Sequence, residues 1–213
     1  MPRRGGASGA SSGWPLWARS AQLLLGLALF GISLALLVRS RLGLDPWDAL
    51  HQGLARRTTL AIGTWSILVG AVVLALWIPL RQRPGIGTVC NVVLVGLVLD
   101  ATLHVLPVPQ TLGARWGCLV TGIVMNAVAT GAYVGAGLGP GPRDGLMVGL
   151  AARGHSIRMV RTLIEVTVLT AGVLLGGTVG IGTVVFAVSI GPLVHIALPR
   201  FTRRRVAEGA SEP

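Results

Sequence analysis

Lysine is missing from this chain of 213 residues: all eighteen of its cations are arginine. Acids are scarce too, seven in all. Charged residues therefore make up 12% of the sequence, where a soluble domain carries roughly a quarter. Aromatic side chains reach only 5%, with a single tyrosine, and there are two cysteines, Cys90 and Cys118. Each shortage excludes something. So little charge leaves no polar surface to face water on all sides, which rules out an ordinary soluble enzyme. Two cysteines inside apolar runs make no disulfide framework and no metal site, so they read as small packing residues. A net charge of +11 would suggest nucleic acid in a soluble chain, but here the arginines must first be placed. What is abundant settles the class: 52% apolar residues and a mean hydropathy of +0.74 predict an integral membrane protein.

Crossing a bilayer core takes roughly 17–25 apolar residues. Six runs qualify: residues 21–38, 64–80, 85–106, 116–137, 160–176 and 178–198. The first follows Arg3, Arg4 and Arg19 like a signal peptide, but arginines rather than a cleavage pattern come after it, so it reads as a retained span. With six spans, thirteen arginines fall on one side (Arg3, Arg4, Arg19, Arg81, Arg83, Arg143, Arg153, Arg158, Arg161, Arg200, Arg203, Arg204 and Arg205) and five on the other (Arg39, Arg41, Arg56, Arg57 and Arg115). Cytoplasmic loops carry the excess of positive charge, so both termini are expected in the cytoplasm. Trp14, Trp17, Trp65, Trp77 and Trp116 stand at span ends, where indole rings anchor at the interface. Residues 1–20 and 199–213 read as a disordered N-terminal and a cytoplasmic C-terminal tail.

The chain also repeats itself at an offset of 96. Leu42-Gly43-Leu44-Asp45-Pro46-Trp47-Asp48-Ala49-Leu50 faces Leu138-Gly139-Pro140-Gly141-Pro142-Arg143-Asp144-Gly145-Leu146, and positions 42–57 hold nine identities in sixteen. Chance would give about one or two. After a one-residue gap, Gly85-Ile86-Gly87-Thr88 matches Gly180-Ile181-Gly182-Thr183. Residues 21–106 and 116–198 are thus two copies of three spans each. An odd number inserts the second copy upside down, the inverted-repeat plan of many secondary transporters. The expected fold is all-α, six transmembrane helices in two inverted three-helix repeats, each with a short amphipathic or re-entrant helix.

That short helix lies between the first and second spans of each copy. Asp45 can cap it, Pro46 suits the first helical position and Asp48 falls at N3, as in a capping box. The second copy keeps Pro142 and Asp144 but has Gly141 at the cap. Either an interfacial amphipathic helix or a re-entrant hairpin with its N-terminus on a cavity fits this pattern. Asp48, Asp144, Gly87, Thr88, Gly182 and Thr183 are the candidate substrate-binding residues, the Gly-x-Gly-Thr starts because free N–H groups there attract anions; close helix packing is the competing reading. Ionisable or polar groups inside spans are the other candidates. Asp100 and His104 are i, i+4 and could share a hydrogen bond near the outer rim. Arg161 and Glu165 have ion-pair spacing. His195 follows Gly191-Pro192 at the repeat position of Asp100, and Asn126 shares a face with Thr130. Ala127, Gly131 and Gly135 form a small-residue packing face.

Residues 42–100 and their echo at 138–195 resemble the YczE/YitT-like family of bacterial integral membrane proteins. Leu42-Gly43-Leu44-Asp45-Pro46-Trp47-Asp48, Ile62-Gly63-Thr64, Gly85-Ile86-Gly87-Thr88 and Gly139-Pro140-Gly141-Pro142-Arg143-Asp144-Gly145 carry the likeness. The resemblance implies a multi-pass protein of the bacterial cytoplasmic membrane and supplies no substrate or catalytic residue.

The expected function is a small secondary transporter or permease in which Asp48 and Asp144 gate or orient an unidentified small molecule or ion. An accessory or scaffold protein that docks a partner on its glycine-rich faces is the alternative. An intramembrane enzyme would have only Asp100 and His104, which make no complete site, so no catalysis is expected. No cofactor, metal or nucleic acid is implied; the lipid bilayer, the transported species and a second copy in a homodimer are the expected partners.

Overall fold

The computed structural model describes residues 15–202, which are helical with no strand among them. In chain order the helices are α1 (Leu16–Ser40), α2 (Pro46–Arg57), α3 (Ile62–Trp77), α4 (Ile86–Val105), α5 (Leu112–Gly135), α6 (Pro142–Ala151), α7 (Ile157–Leu174) and α8 (Ile181–Phe201). Each expected span falls on one long helix, and each polar segment forms a short one. Helix α1 starts at Leu16, so residues 16–20 are helical rather than part of a tail, and α8 likewise takes in residues 199–201. The tails expected at 1–14 and 203–213, with Arg3, Arg4, Trp14 and Arg203–Arg205, lie outside the described residues.

Four helices, α1, α4, α5 and α8, are long and apolar enough to cross a membrane. At about 1.5 Å per residue, the sixteen residues of α3 are short for a crossing. It passes as a span only together with α2, from which it bends by 117°. Helix α7 has eighteen residues but carries Arg158, Arg161 and Glu165.

The centre is α1 laid along α5, with α4 on α1, α8 on α5, and the pairs α2–α7 and α3–α6 at the flanks. Leu27, Leu34, Leu37, Leu99 and Leu119 are all but inaccessible in this core. The outer faces present Leu25, Leu97, Leu163 and Val188, each more than half exposed, a surface suited to acyl chains. Gly131 meets Ala197 and Gly135 meets Phe201, so the small-residue face of α5 is where α8 packs. Asn126 donates from Nδ2 to Ser33 Oγ across α5 and α1 (3.0 Å).

Two straps cross between the halves of the chain. Gly182 N–H donates to the Leu42 carbonyl (2.8 Å) and Gly87 N–H to the Leu138 carbonyl (3.0 Å). Each strap turns on a glycine with positive φ, Gly43 at 129° and Gly139 at 139°. A Cβ on Gly43 would lie 2.6 Å from Thr183 Oγ1, and one on Gly139 2.7 Å from Thr88 Oγ1. Both positions therefore need the missing side chain twice over, for conformation and for space.

The arginines finish the helix ends. Arg19 donates from Nε to the Ala136 carbonyl (2.9 Å) and Arg153 to that of Pro79 (2.8 Å). Arg39 reaches Leu103, while Arg56 and Arg57 reach Gly176 and Leu175. The last carbonyls of a helix lack intrahelical donors, and in lipid an unmet carbonyl is costly. A guanidinium, with its fork of five donors, meets that need on another helix while keeping its charge at the rim. Arg143 does not cap a helix end in this way: its guanidinium points at α2.

Among the described tryptophans, Trp17 is exposed and Trp65 is bonded to Thr58 Oγ1 beside the α2–α3 bend. Trp77 is not an interfacial anchor. It is 2% exposed, and its Nε1 donates to the Pro142 carbonyl at the start of α6. Cys90 and Cys118 are unpaired and half-buried.

Candidate functional site

The sequence Asp45-Pro46-Trp47-Asp48 starts α2 as the residue types require. Asp45 Oδ1 accepts from Asp48 N–H at 2.7 Å, an N-cap bond, and Pro46 stands where no N–H is needed. The reciprocal half of a capping box is not made: the Asp48 carboxylate turns to His51, with Oδ1 3.3 Å from His51 Nδ1. In α6 the cap is Gly141, followed by Pro142, and the cap position makes no side-chain hydrogen bond.

The starts of the two short helices line one cavity and meet through one side chain. Arg143 of α6 places its guanidinium nitrogens 3.6 Å from Asp45 Oδ2 and 3.7 Å from Asp48 Oδ1, with Cζ 5.0 Å from the centre of the Trp47 ring. Between these ends lies a cavity of about 230 Å³ to which all eight helices contribute. Its polar lining includes His51, Asn91, Asn126, Arg143, Asp144 and Glu165. Phe30 and Tyr133 stack edge to face across one wall, ring centres 5.8 Å apart. A hydrophobic chamber with a few converging charges suits a small polar ligand.

The predicted residues separate on this map. Asp144 lines the cavity and is exposed to it. Asp48 lies behind the wall, 1% exposed, and its Oδ2 has no hydrogen-bond partner. Asn126 and Glu165 also reach the cavity, the latter held by Arg161 Nε at 2.9 Å in the expected i, i+4 pair.

The Gly-x-Gly-Thr starts do not reach it. Gly87 and Gly182 spend their N–H groups on the straps, Thr88 donates to the Pro140 carbonyl (2.8 Å), and Thr183 Oγ1 accepts from Gly180 N–H. These four residues fasten strap to helix. Asp100 and His104 do not pair either. Both oxygens of Asp100 accept from the start of α3, from Gly63 N–H (2.6 Å) and Thr64 N–H (2.9 Å), and His104 is exposed. A helix start has unmet donors and a positive dipole end, which claims the carboxylate. His195 is exposed on α8, away from the cavity. Arg143, Asp45, His51 and Tyr133 were not among the candidates. A signal for Arg143 was present: it replaces Trp47 at the twin position, setting a cation against the acids of the first copy.

A family model described as "Family of unknown function (DUF6198)" matches residues 17–199. An uncharacterized protein of Haemophilus influenzae is 42% identical over 191 residues, covering 89% of this chain and 88% of that protein. The uncharacterized membrane protein YczE of Bacillus subtilis is 35% identical over 194 residues, 86% of this chain and 90% of its own length. The uncharacterized protein YyaS of the same organism is 27% identical over 182 residues, 82% and 90%. No solved structure matches the chain. The apolar helices and the named membrane relative agree on a membrane location. With its helical region matched almost end to end, the chain belongs to the DUF6198 family, in its YczE-like group.

Proposed function

We propose that this protein is a small secondary transporter, six spans in two inverted repeats, with the cavity between α2 and α6 as its substrate site. The meeting of the two short helices through Arg143 carries the reading. Interfacial helices on opposite faces of a bilayer would stand some 30 Å apart, whereas these are within one arginine's reach. Half-helices that enter from opposite sides and end near the midplane are how inverted-repeat transporters build their sites. The twin straps support the same symmetry, since Leu42 and Leu138 differ by the repeat offset and use equivalent glycines. In this reading α3 and α7 cross the bilayer as the flanking spans, and both termini face the cytoplasm of a bacterial inner membrane. Substrate enters and leaves without covalent change, so the protein is no enzyme, and Asp144, one of the carboxylates lining the cavity, meets it directly.

The test is a thermal-shift screen of the purified protein against ions and small metabolites, then flux of any hit in proteoliposomes. A stabilising ligand whose effect and flux fall at least tenfold in Asp144→Asn supports the proposal. Flux unchanged in that variant removes the role of Asp144. Reporter fusions at both ends that give periplasmic signals would overturn the orientation.

A further inference from the structure

We propose that the corner formed by Asp45, Asp48 and Trp47 is a binding site for a guanidinium group of the substrate, and that Arg143 fills it as a tethered stand-in. The inference rests on the cavity being the substrate site and names the chemistry it selects.

Two carboxylates beside the face of an indole are what a planar, delocalised cation requires: oxygens for its N–H fork and a π-surface beneath it. The protein itself places a guanidinium there, which displays the chemistry the corner accepts. The occupant is nevertheless loosely held. Its nitrogens stand 3.6 and 3.7 Å from the two carboxylates, beyond the roughly 2.7–2.9 Å of a charge-assisted hydrogen bond. Arg143 is 29% exposed and lines the cavity together with Asp45 and Trp47, so a ligand can reach the guanidinium's place from the cavity, with Asp48 directly behind it. The acids are also under-matched. Asp48 is 1% exposed, yet its Oδ2 has no partner, a buried acceptor waiting for a donor. One guanidinium faces two carboxylates.

The arrangement also gives binding a consequence. Arg143 is a charged link between α2 of one half and α6 of the other, so a ligand cation that takes its place breaks that link while the straps and the α1–α5 packing still join the halves. Occupancy and the relative position of α2 and α6 are then coupled through one side chain, the kind of coupling alternating access uses.

The experiment uses the full-length chain in lipid nanodiscs and methylguanidinium as the probe, titrated calorimetrically. Arg143→Gln empties the corner and is expected to bind the probe at least tenfold tighter than the unaltered protein. Adding Asp48→Asn to that variant is expected to reverse the gain. Equal affinity with and without Arg143 would overturn the inference, and so would acetate binding to the unaltered protein that Arg143→Gln abolishes, since Arg143 would then be an anion receptor. If Arg143→Gln does not give a monodisperse preparation, Arg143→Lys carries the same test. An ammonium without the planar fork competes less well, so the probe must again bind tighter than to the unaltered protein, and equal binding sinks the idea. Transport is a separate readout. Tight probe binding with no flux of any substrate would uphold the corner and remove the transporter reading. Flux indifferent to both Arg143→Gln and methylguanidinium would remove the corner and leave the transporter.

Discussion

The starts of α2 and α6 are twins by sequence and opposites by chemistry. Both have proline at the first helical position and aspartate two residues on, at N3. Yet Asp48 is buried beside His51 and Asp45 with Arg143 between it and the cavity, while Asp144 faces the cavity. Trp47 on one side is answered by Arg143 on the other, and Ala49 by Gly145. A shared backbone device has been given a receptor half and a donor half. The lesson is that a repeat preserves where a residue stands on its helix and not what it does there.

The sharpest way to break this comparison is at Gly145. A Cβ there would lie 1.9 Å from the ring of Trp77, which is 2% exposed and bonded to Pro142. Gly145→Ala is expected to cost 3 kcal/mol or more, about the upper end for overpacking, and to disturb α6 as read by tryptophan fluorescence. The mirror change Ala49→Gly, on a helix whose alanine is fully buried, should cost about 1 kcal/mol. Similar losses would mean that the two copies are packed alike. Next come the aspartates. Asp48→Ala leaves His51 and Arg143 facing an empty buried corner and should lower stability by about 3 kcal/mol, whereas Asp144→Ala should cost less than about 1 kcal/mol. Unfolding of both variants in mixed micelles decides it, and equal losses would return the two aspartates to one role. The smallest contrast is between the threonines. Thr88 makes a donor bond to Pro140 besides its cap bond, and Thr183 only its cap bond. Thr88→Val should therefore cost about 1 kcal/mol more than Thr183→Val, one net hydrogen bond.

Much of this was legible in the sequence. Hydropathy located the six long helices, because an apolar run has little choice of structure. The cap at Asp45, the proline after it and the ion pair of Arg161 with Glu165 followed from local rules that depend only on spacing. What could not be read depends on which way a side chain points across tertiary space. Arg143 counted as one more cytoplasmic charge, since a sequence does not say that α6 turns its first residues toward α2. Asp100 looked like a partner for His104 four residues away, but the empty donors of α3, thirty-six residues distant, took it. Trp77 sits at a span end, as an anchor would, and is buried because α6 folds back over it.

The reciprocal straps bear on how the chain is made. The start of α4 is clasped by residue 138 and the start of α8 by residue 42. When the first half leaves the ribosome, its own helix α4 has no clasp, and Leu42 has nothing to hold. Neither half can be finished before the other arrives, so a ribosome stalled after α4 would release a fragment with its strap unused. Two halves expressed as separate chains should each be cleared by proteases, yet together rebuild the protein, because the closing contacts are all made between them.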